Sequence, residues 1–337
     1  MLDSSGREPQ KSPPGRPTTE TKQIRARDLG IPFEGAPGRF NAITDVAGVE
    51  VGYATLISGE GKLEVGKGPV RTGVTAILPR GHASLNDPVY AGFFSLNGNG
   101  EMTGTAWVEE SGFLEGPMII TNTHSVGVAR DAVIAWRVKH GAADKTEDWW
   151  SLPVVAETWD GWLNDINGFH VKPEDVWHAL DSAHGCGIEE GSVGGGTGMI
   201  CYEFKGGNEQ ESGSCIAVVA TDAPLLPNQL KRLARRVSLG LARTGTISGN
   251  GSGDLFIAFS TANPNVASAD QITHDVKTIP NDLMDPLFTG VVQATEEAVV
   301  NALIDNHSMT GRDNHHVDAL PPDRLRALLR KYNRLAR

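Results

Sequence analysis

Short apolar segments bounded by glycine and proline recur along the chain, and they predict β-strands. The stretch 73–79 is typical, because apolar residues follow Gly73 and the run ends at Pro79. The turn glycines in 41–52 predict a hairpin around short apolar segments. The other predicted strands lie at 90–96, 103–108, 117–121, 153–158, 198–204, 215–221 and 254–260.

Helical spacing of apolar residues predicts helices between these strands. Ser125 is a suitable N-cap residue for a helix over 126–139. Pro173 suits the first position of a second helix. Further helices are predicted at 228–243, 283–304 and 321–332.

Strands with interspersed helices, and no strict β-α-β rhythm, predict an α/β protein with layered sheets. The prediction is a single α/β domain over 27–337. Residues 1–26 are polar and proline-rich, which is typical of a disordered tail.

Composition and charge exclude several classes of function and partner. The 337 residues carry a formal net charge of −11, which argues against a nucleic-acid partner. No apolar run is long enough to span a membrane. The first residues lack the apolar core of a secretory signal, so we expect a cytoplasmic protein. The three cysteines are too scattered for a disulfide framework or a zinc site, and we expect neither a metal nor another cofactor.

Several familiar functional motifs are incomplete or absent in this sequence. The stretch 61–68 nearly spells a phosphate-binding loop but ends in glycine where Ser or Thr should hold magnesium. The glycines of 194–198 precede a predicted strand instead of opening a helix, so they indicate a tight turn or a close approach of backbone to substrate. Gly-x-Ser-x-Gly and His-Glu-x-x-His are absent. A triad role for His124 stays open, although a structural role is the commoner one.

The amino-acid composition of the chain changes at Ser214. A polar, glycine-rich segment at 205–213 precedes it, and the apolar strand 215–221 follows. Ser214 is therefore either an ordinary first residue of a strand or a nucleophile that becomes exposed when the chain is cut at Gly213–Ser214.

From the residues alone, the first interpretation is the commoner one. Uncommon polar segments at 157–162, 194–199, 213–214 and 249–254 each adjoin a predicted strand end, where active-site loops gather. With the stretches 41–52, 70–76, 194–204 and 220–227, they resemble the DmpA/BapA family of self-processing serine aminopeptidases, which includes L-aminopeptidase D-Ala-esterase/amidases and β-peptidyl aminopeptidases. The resemblance covers the chain from Arg27 onward. It implies a four-layer αββα sandwich of the DmpA/ornithine-acetyltransferase type. It also implies cleavage before Ser214 into a large chain, 1–213, and a small chain, 214–337.

The resemblance also implies site roles. Ser214 is the nucleophile, and its freed α-amine, with a pKa of about 7.7–8.0, is the base. Ser252 and Asp254 match the residues that hold this amine, although the acidic position is often glutamate in relatives. Glu157 matches the carboxylate that binds the free amino group of the substrate. Trp159 stands where relatives have a tyrosine, and an indole cannot accept a hydrogen bond as a phenol can.

One departure concerns the oxyanion. Relatives carry a strand and hairpin before the nucleophile, with an asparagine that contributes to the oxyanion hole, and here only 208–213 bridge the flanking segments. Losing such a donor costs on the order of 10²–10³ in rate. Asn122 or backbone N–H groups near Gly196 are candidate replacements.

The predicted function is release of N-terminal residues, D- or β-amino acids among them by resemblance, from short peptides, amides or esters with a free N-terminus. Two alternatives stay open at this point: an acyltransferase, and a weakened or inactive relative. Resemblance also implies a homo-oligomer, a tetramer of processed pairs.

Overall fold

The computed structural model describes residues 24–142, 148–200 and 213–335. Within them the chain forms two four-stranded sheets and a small two-stranded one. The strands are β1 (Glu50–Ser58), β2 (Val70–Leu78), β3 (Val89–Gly98), β4 (Phe113–Leu114), β5 (Met118–Asn122), β6 (Val154–Thr158), β7 (Cys215–Thr221), β8 (Gly253–Ser260), β9 (Met309–Thr310) and β10 (His316–Val317). The helices are α1 (Thr105–Ser111), α2 (Val126–Lys139), α3 (Pro173–Asp181), α4 (Pro227–Arg243), α5 (Asp285–Ile304) and α6 (Pro322–Lys331).

The first sheet has the order β1-β2-β5-β6 and the second β4-β3-β8-β7. Each sheet ends in a parallel pair, β5 with β6 and β7 with β8, while the other pairs are antiparallel. A helix crosses over between the strands of each parallel pair, α2 in the first sheet and α4 in the second, as parallel pairing requires.

Three apolar cores separate four layers. One core joins α2 and α3 to the first sheet through residues such as Val133, Trp136 and Val176. The middle core lies between the two sheets and includes Ile77, Met118 and Phe259. The third joins the second sheet to α4 and α5. The order helix, sheet, sheet, helix confirms the predicted αββα sandwich.

Most predicted elements form where the pattern places them. The helix at 126–139 has those bounds, and β7 spans 215–221. For the strand predicted at 198–204, residues 198–200 form no strand and 201–204 lie outside the described residues. The tail predicted at 1–26 lies outside them up to residue 23, and Ala26 is fully buried.

Two predicted elements are wrong. The stretch 103–108 enters the helix α1, because Gly104 adopts a left-handed conformation with φ of 73° and ends the extended backbone. The stretch 41–52 forms no hairpin. It makes a 3-10 turn at Ile43–Asp45, and β1 pairs with β2 instead.

The glycines of 194–198 form a 3-10 turn packed on the first sheet. A methyl group at Gly195 would lie 2.5 Å from the carbonyl oxygen of Ile120. The close approach of this backbone is therefore to the protein's own sheet.

Replacement of Gly52 tests the packing of α3 on β1. A methyl group there would lie 2.1 Å from the carbonyl oxygen of Ala179, so Gly52→Ala should destabilise the fold by about 1–3 kcal/mol. Gly290→Ala is the matched control, since nothing lies within 4 Å of that position in α5. It should stabilise by about 0.5–1 kcal/mol. Urea unfolding of both variants measures the difference, and an unchanged midpoint for Gly52→Ala would contradict the packing.

Candidate active site

Ser214 lies directly before β7, beside the start of β8. The parallel register pairs Cys215 with Asp254. The Ser214 hydroxyl accepts a hydrogen bond of 3.0 Å from the backbone N–H of Gly253. The hydroxyl is therefore fixed at the amino end of the parallel pair.

Ser252 and Asp254 flank this glycine, and each is only 1% exposed. Within the described part of the chain, Ser252 Oγ and Asp254 Oδ2 are buried without a hydrogen-bond partner. A buried acceptor without a donor costs about 1–3 kcal/mol. The structure thus brings two unsatisfied acceptors to the start of β8, next to the strand that Ser214 precedes.

The segment after β3 presses against the same turn. Asn99 N–H donates to the carbonyl oxygen of Ser252 at 3.3 Å. A methyl group at Gly253 would lie 2.3 Å from the Asn99 carbonyl oxygen and 3.0 Å from Gly100 Cα, so this contact requires glycine. Residues 99 and 100 therefore form a bridge from Gly253 toward the first sheet.

Glu157 lies on the far side of that bridge, in β6. Its backbone N–H donates to the carbonyl oxygen of Glu101 at 3.0 Å. A methyl group built on Gly100 would lie 3.1 Å from Glu157 Oε1 and 3.3 Å from Gly253 Cα. The carboxylate thus sits one glycine away from the residue that binds Ser214 Oγ. The carboxyl end of β6 and the amino ends of β7 and β8 meet here.

Glu157 is only 5% exposed, and burial is the largest influence on the pKa of its carboxyl group. Burial raises the pKa of the carboxyl group, while hydrogen bonds from Thr123 and from the Glu101 backbone oppose this rise and the nearby Glu101 charge adds to it. A cationic group brought to this carboxylate would be strongly attracted, because little water screens the interaction.

Trp159 is 49% exposed in the loop after β6, with its indole against Gly161. The loop that carries it is held by the C-terminal hairpin of β9 and β10. Arg312 donates through Nε to the carbonyl oxygen of Gly161 and through its backbone N–H to that of Leu163, both at 2.8 Å. The rings of Trp162 and His315 stack 4.0 Å apart. Residues from both sides of the Ser214 boundary therefore fix the loop after β6.

Asn122 ends β5 and is 2% exposed. Its Nδ2 donates to Thr72 Oγ1 at 3.0 Å, and its Oδ1 has no partner among the described residues. The amide is thus engaged within the protein, with Thr72 and with Asp160, and a role at the oxyanion stays a prediction. His124, two residues later, stacks on Phe169 with ring centroids 5.9 Å apart.

The sequence does not predict the roles of two further polar residues at this site, Thr123 and Asp160. Thr123 donates its hydroxyl proton to Glu157 Oε2. Asp160 is 1% exposed and accepts a hydrogen bond of 3.0 Å from Asn164 Nδ2. Asp160 lies in the polar segment 157–162 that the sequence singled out, but a threonine after a strand gives no comparable signal.

Burial raises the pKa of Asp160 to about 7, although hydrogen bonds from Thr72, Asn164 and Asn122 favour its ionised form. Among the described residues, His, Cys, Asp and Glu form no group of three or more suited to a metal ion. The helices of the described chain include none long and apolar enough to cross a membrane.

The fold and the site define a class of protein: a hydrolase of the N-terminal-nucleophile type, with a hydroxyl directly before the edge strand β7 and a buried carboxylate on the other side of Gly100. The model of peptidase family S58 matches residues 41–210 and 208–317. The chain therefore belongs to peptidase family S58, and it is an aminopeptidase.

Individual proteins similar to the chain are also aminopeptidases. The chain is 49% identical to the β-peptidyl aminopeptidase BapA of Sphingosinicella microcystinivorans over 374 residues, with 93% of each chain covered. It is 45% identical to the structure of the L-aminopeptidase D-Ala-esterase/amidase of Ochrobactrum anthropi, described as a variant of the Ntn hydrolase fold; the TM-score is 0.85 and coverage is 93% and 99%. For a β-aminopeptidase of Burkholderia sp., identity is 41%, the TM-score 0.83 and coverage 91% and 99%.

The match also bears on the segment before Ser214. The two matched segments meet at 208–210, where the sequence predicts this chain to be shorter than its relatives. The 374 residues aligned with the Sphingosinicella protein outnumber the 337 of the whole chain, so that relative has residues without a counterpart here.

Asp160→Asn tests the buried carboxyl group. Its folded-state pKa of about 7 exceeds the unfolded value of about 3.9, so the folded protein binds the proton more tightly. Stability from this group is therefore fully present below about pH 4 and is lost as pH rises toward 7, by at most about 1.4 kcal/mol per pH unit. Urea unfolding at pH 5 and pH 8 should show a smaller loss in the variant. An equal loss in both proteins would contradict this assignment.

Proposed function

We propose that the protein cuts its own chain between Gly213 and Ser214 and then uses Ser214 as the nucleophile of a serine aminopeptidase. The observation that carries this proposal is the placement of the Ser214 hydroxyl, at 3.0 Å from the Gly253 N–H, next to two buried acceptors without partners.

Self-cleavage begins when Ser214 Oγ attacks the carbonyl carbon of Gly213. The peptide C–N bond breaks, the hydroxyl proton passes to the departing nitrogen, and an ester joins Gly213 to Oγ. Water then hydrolyses this ester, which gives a Gly213 carboxylate and a free Ser214 α-amine. Ser252 Oγ and Asp254 Oδ2 are the acceptors that would receive the new N–H groups.

The freed amine supplies the base for catalysis. An unperturbed α-amine has a pKa of about 7.7–8.0, which leaves an appreciable neutral fraction near neutral pH, and this amine is attached to the nucleophile it serves. The amine takes the hydroxyl proton as Oγ attacks the substrate carbonyl, and it returns that proton to the leaving amine. Water then hydrolyses the acyl-enzyme and restores the free hydroxyl.

Glu157 binds the ammonium group of the substrate in this proposal. The carboxylate is buried, lies across Gly100 from Gly253 and pairs with no cation within the described ranges. A substrate with a free N-terminus supplies that cation, whereas a blocked N-terminus leaves the carboxylate unpaired. The likeness to proteins named β-peptidyl aminopeptidase and L-aminopeptidase D-Ala-esterase/amidase supports short peptides, amides and esters that begin with β- or D-amino acids.

Ser214→Ala tests self-cleavage. The wild-type protein should run as two bands on a denaturing gel, with one fragment that begins Ser-Cys-Ile-Ala-Val by N-terminal sequencing. Ser214→Ala removes the attacking oxygen and should stay uncut, while Ser214→Thr keeps a hydroxyl and should cut at least partly. An uncut wild-type chain would instead support a non-catalytic relative, in keeping with the short segment before Ser214.

Glu157→Gln tests recognition of the free amine. Loss of a charge-assisted contact worth about 1.5–3 kcal/mol should lower kcat/KM for β-alanyl p-nitroanilide by roughly 10- to 100-fold. Glu101→Gln is the matched control, since Glu101 is an exposed neighbour. The control should keep nearly full activity. Equal losses in both variants would assign the effect to general charge.

Assembly belongs to the same proposal. The family resemblance favours a tetramer of processed pairs. Light scattering coupled to size exclusion, on wild type and on uncut Ser214→Ala, measures the mass directly and shows whether assembly requires the cut.

A further inference from the structure

The hydroxyl of Thr123 contacts the carboxylate that faces the proposed substrate. Thr123 follows β5, and the parallel register places Thr121 opposite Glu157 and Asn122 opposite Thr158. From this position Thr123 Oγ1 donates to Glu157 Oε2. The carbonyl oxygen of Thr158 lies 3.5 Å from the same hydroxyl, so the threonine is seated between two adjacent residues of β6.

The two oxygens of Glu157 therefore have different surroundings. Oε2 accepts from Thr123, while Oε1 lies on the side of Gly100, whose added methyl would meet it at 3.1 Å. Gly253, which donates to Ser214 Oγ, lies on that same side. A fixed Oε2 thus determines where Oε1 stands relative to the nucleophile.

A threonine hydroxyl is suited to this contact because it donates to a carboxylate and carries no charge of its own. A lysine or arginine at this place would neutralise Glu157 and compete with the ammonium group of a substrate. In the part of the chain that the structure describes, the charge that acts on the pKa of Glu157 is that of Glu101, which is also acidic, while the neighbouring titratable ring of His124 stacks on Phe169. The hydroxyl therefore orients Glu157 and leaves its charge available.

We propose that Thr123 is a positioning residue, whose hydroxyl holds Glu157 so that Oε1 receives the ammonium group of the substrate beside Ser214. This inference rests on the proposed function of Glu157 and adds a determinant of amine recognition. The hydroxyl also favours the ionised carboxylate against the effect of burial on its pKa, so it extends amine binding toward lower pH.

Thr123→Val keeps the shape of the side chain and removes the hydrogen bond. We expect kcat/KM for β-alanyl p-nitroanilide to fall roughly 10-fold, as for loss of a hydrogen bond to a charged group. The loss should appear in KM, with kcat nearly unchanged. The part of the acid limb of the kcat/KM profile that belongs to Glu157, distinct from the part set by the Ser214 amine, should move to higher pH, because a carboxyl group without this donor loses its proton less readily. Thr123→Ser restores the hydroxyl and should restore the wild-type profile.

Thr121→Val is the matched control. Thr121 is a fully buried threonine of β5, and its hydroxyl donates to the carbonyl oxygen of Gly73 at 2.9 Å instead of to Glu157. This variant should keep the wild-type KM and acid limb even if its stability falls. Complete cutting at Gly213–Ser214 and a cooperative thermal transition above the assay temperature verify that each variant folds, and Thr123→Ala serves where the valine variant does not.

The outcomes distinguish the positioning role of Thr123 from the amine-binding role of Glu157. If Thr123→Val keeps the wild-type KM and acid limb while Glu157→Gln loses activity, Thr123 has no positioning role and the function of Glu157 stands. If Glu157→Gln itself retains full preference for a free amine, the proposed function of Glu157 fails. A fall in kcat alone, without rescue by serine, would also overturn the positioning role.

Discussion

The pairing of β3 with β8 is the constraint on which the site depends. This antiparallel ladder runs from Tyr90 opposite Ser260 to Gly98 opposite Gly253, with an irregularity between Ser95 and Asn97. It joins a strand from the first third of the chain to one from the last third, inside the layered core. Because β8 also pairs with β7, the same ladder determines where Ser214 stands.

The end of this ladder also links the two sheets. As β3 finishes, residues 99 and 100 leave the second sheet and cross the Ser252–Gly253 turn toward Glu157. Glycines at 100 and 253 permit this crossing, since side chains at either position would meet backbone or carboxylate atoms. A register shift of one residue between β3 and β8 would turn every side chain to the opposite face and separate Ser214 from Glu157.

The sequence predicts the elements that repeat a simple period. The helix 126–139 and the strand 215–221 have unambiguous patterns, and both form with those bounds. The stretch 103–108 is short and apolar, and in such segments periodicity does not distinguish helix from strand. Here one left-handed glycine decides the outcome. Resemblance led to Ser214 and Glu157, but Thr123 and Asp160 acquire their contacts only when β5, β6 and β2 are packed together. Neither contact has a signature in the linear chain.

The proposed cut in the backbone would change what the same ladder holds together. In an intact chain, β3 and β8 belong to one molecule, and refolding is a first-order process. After the proposed cleavage at Ser214, β3 would belong to one polypeptide and β8 to another, so an unfolded enzyme would become two molecules that must find each other. Dilution then opposes recovery, as it does for an obligate dimer. The mature form would rely on slow unfolding for its persistence, and its lifetime would be a kinetic property.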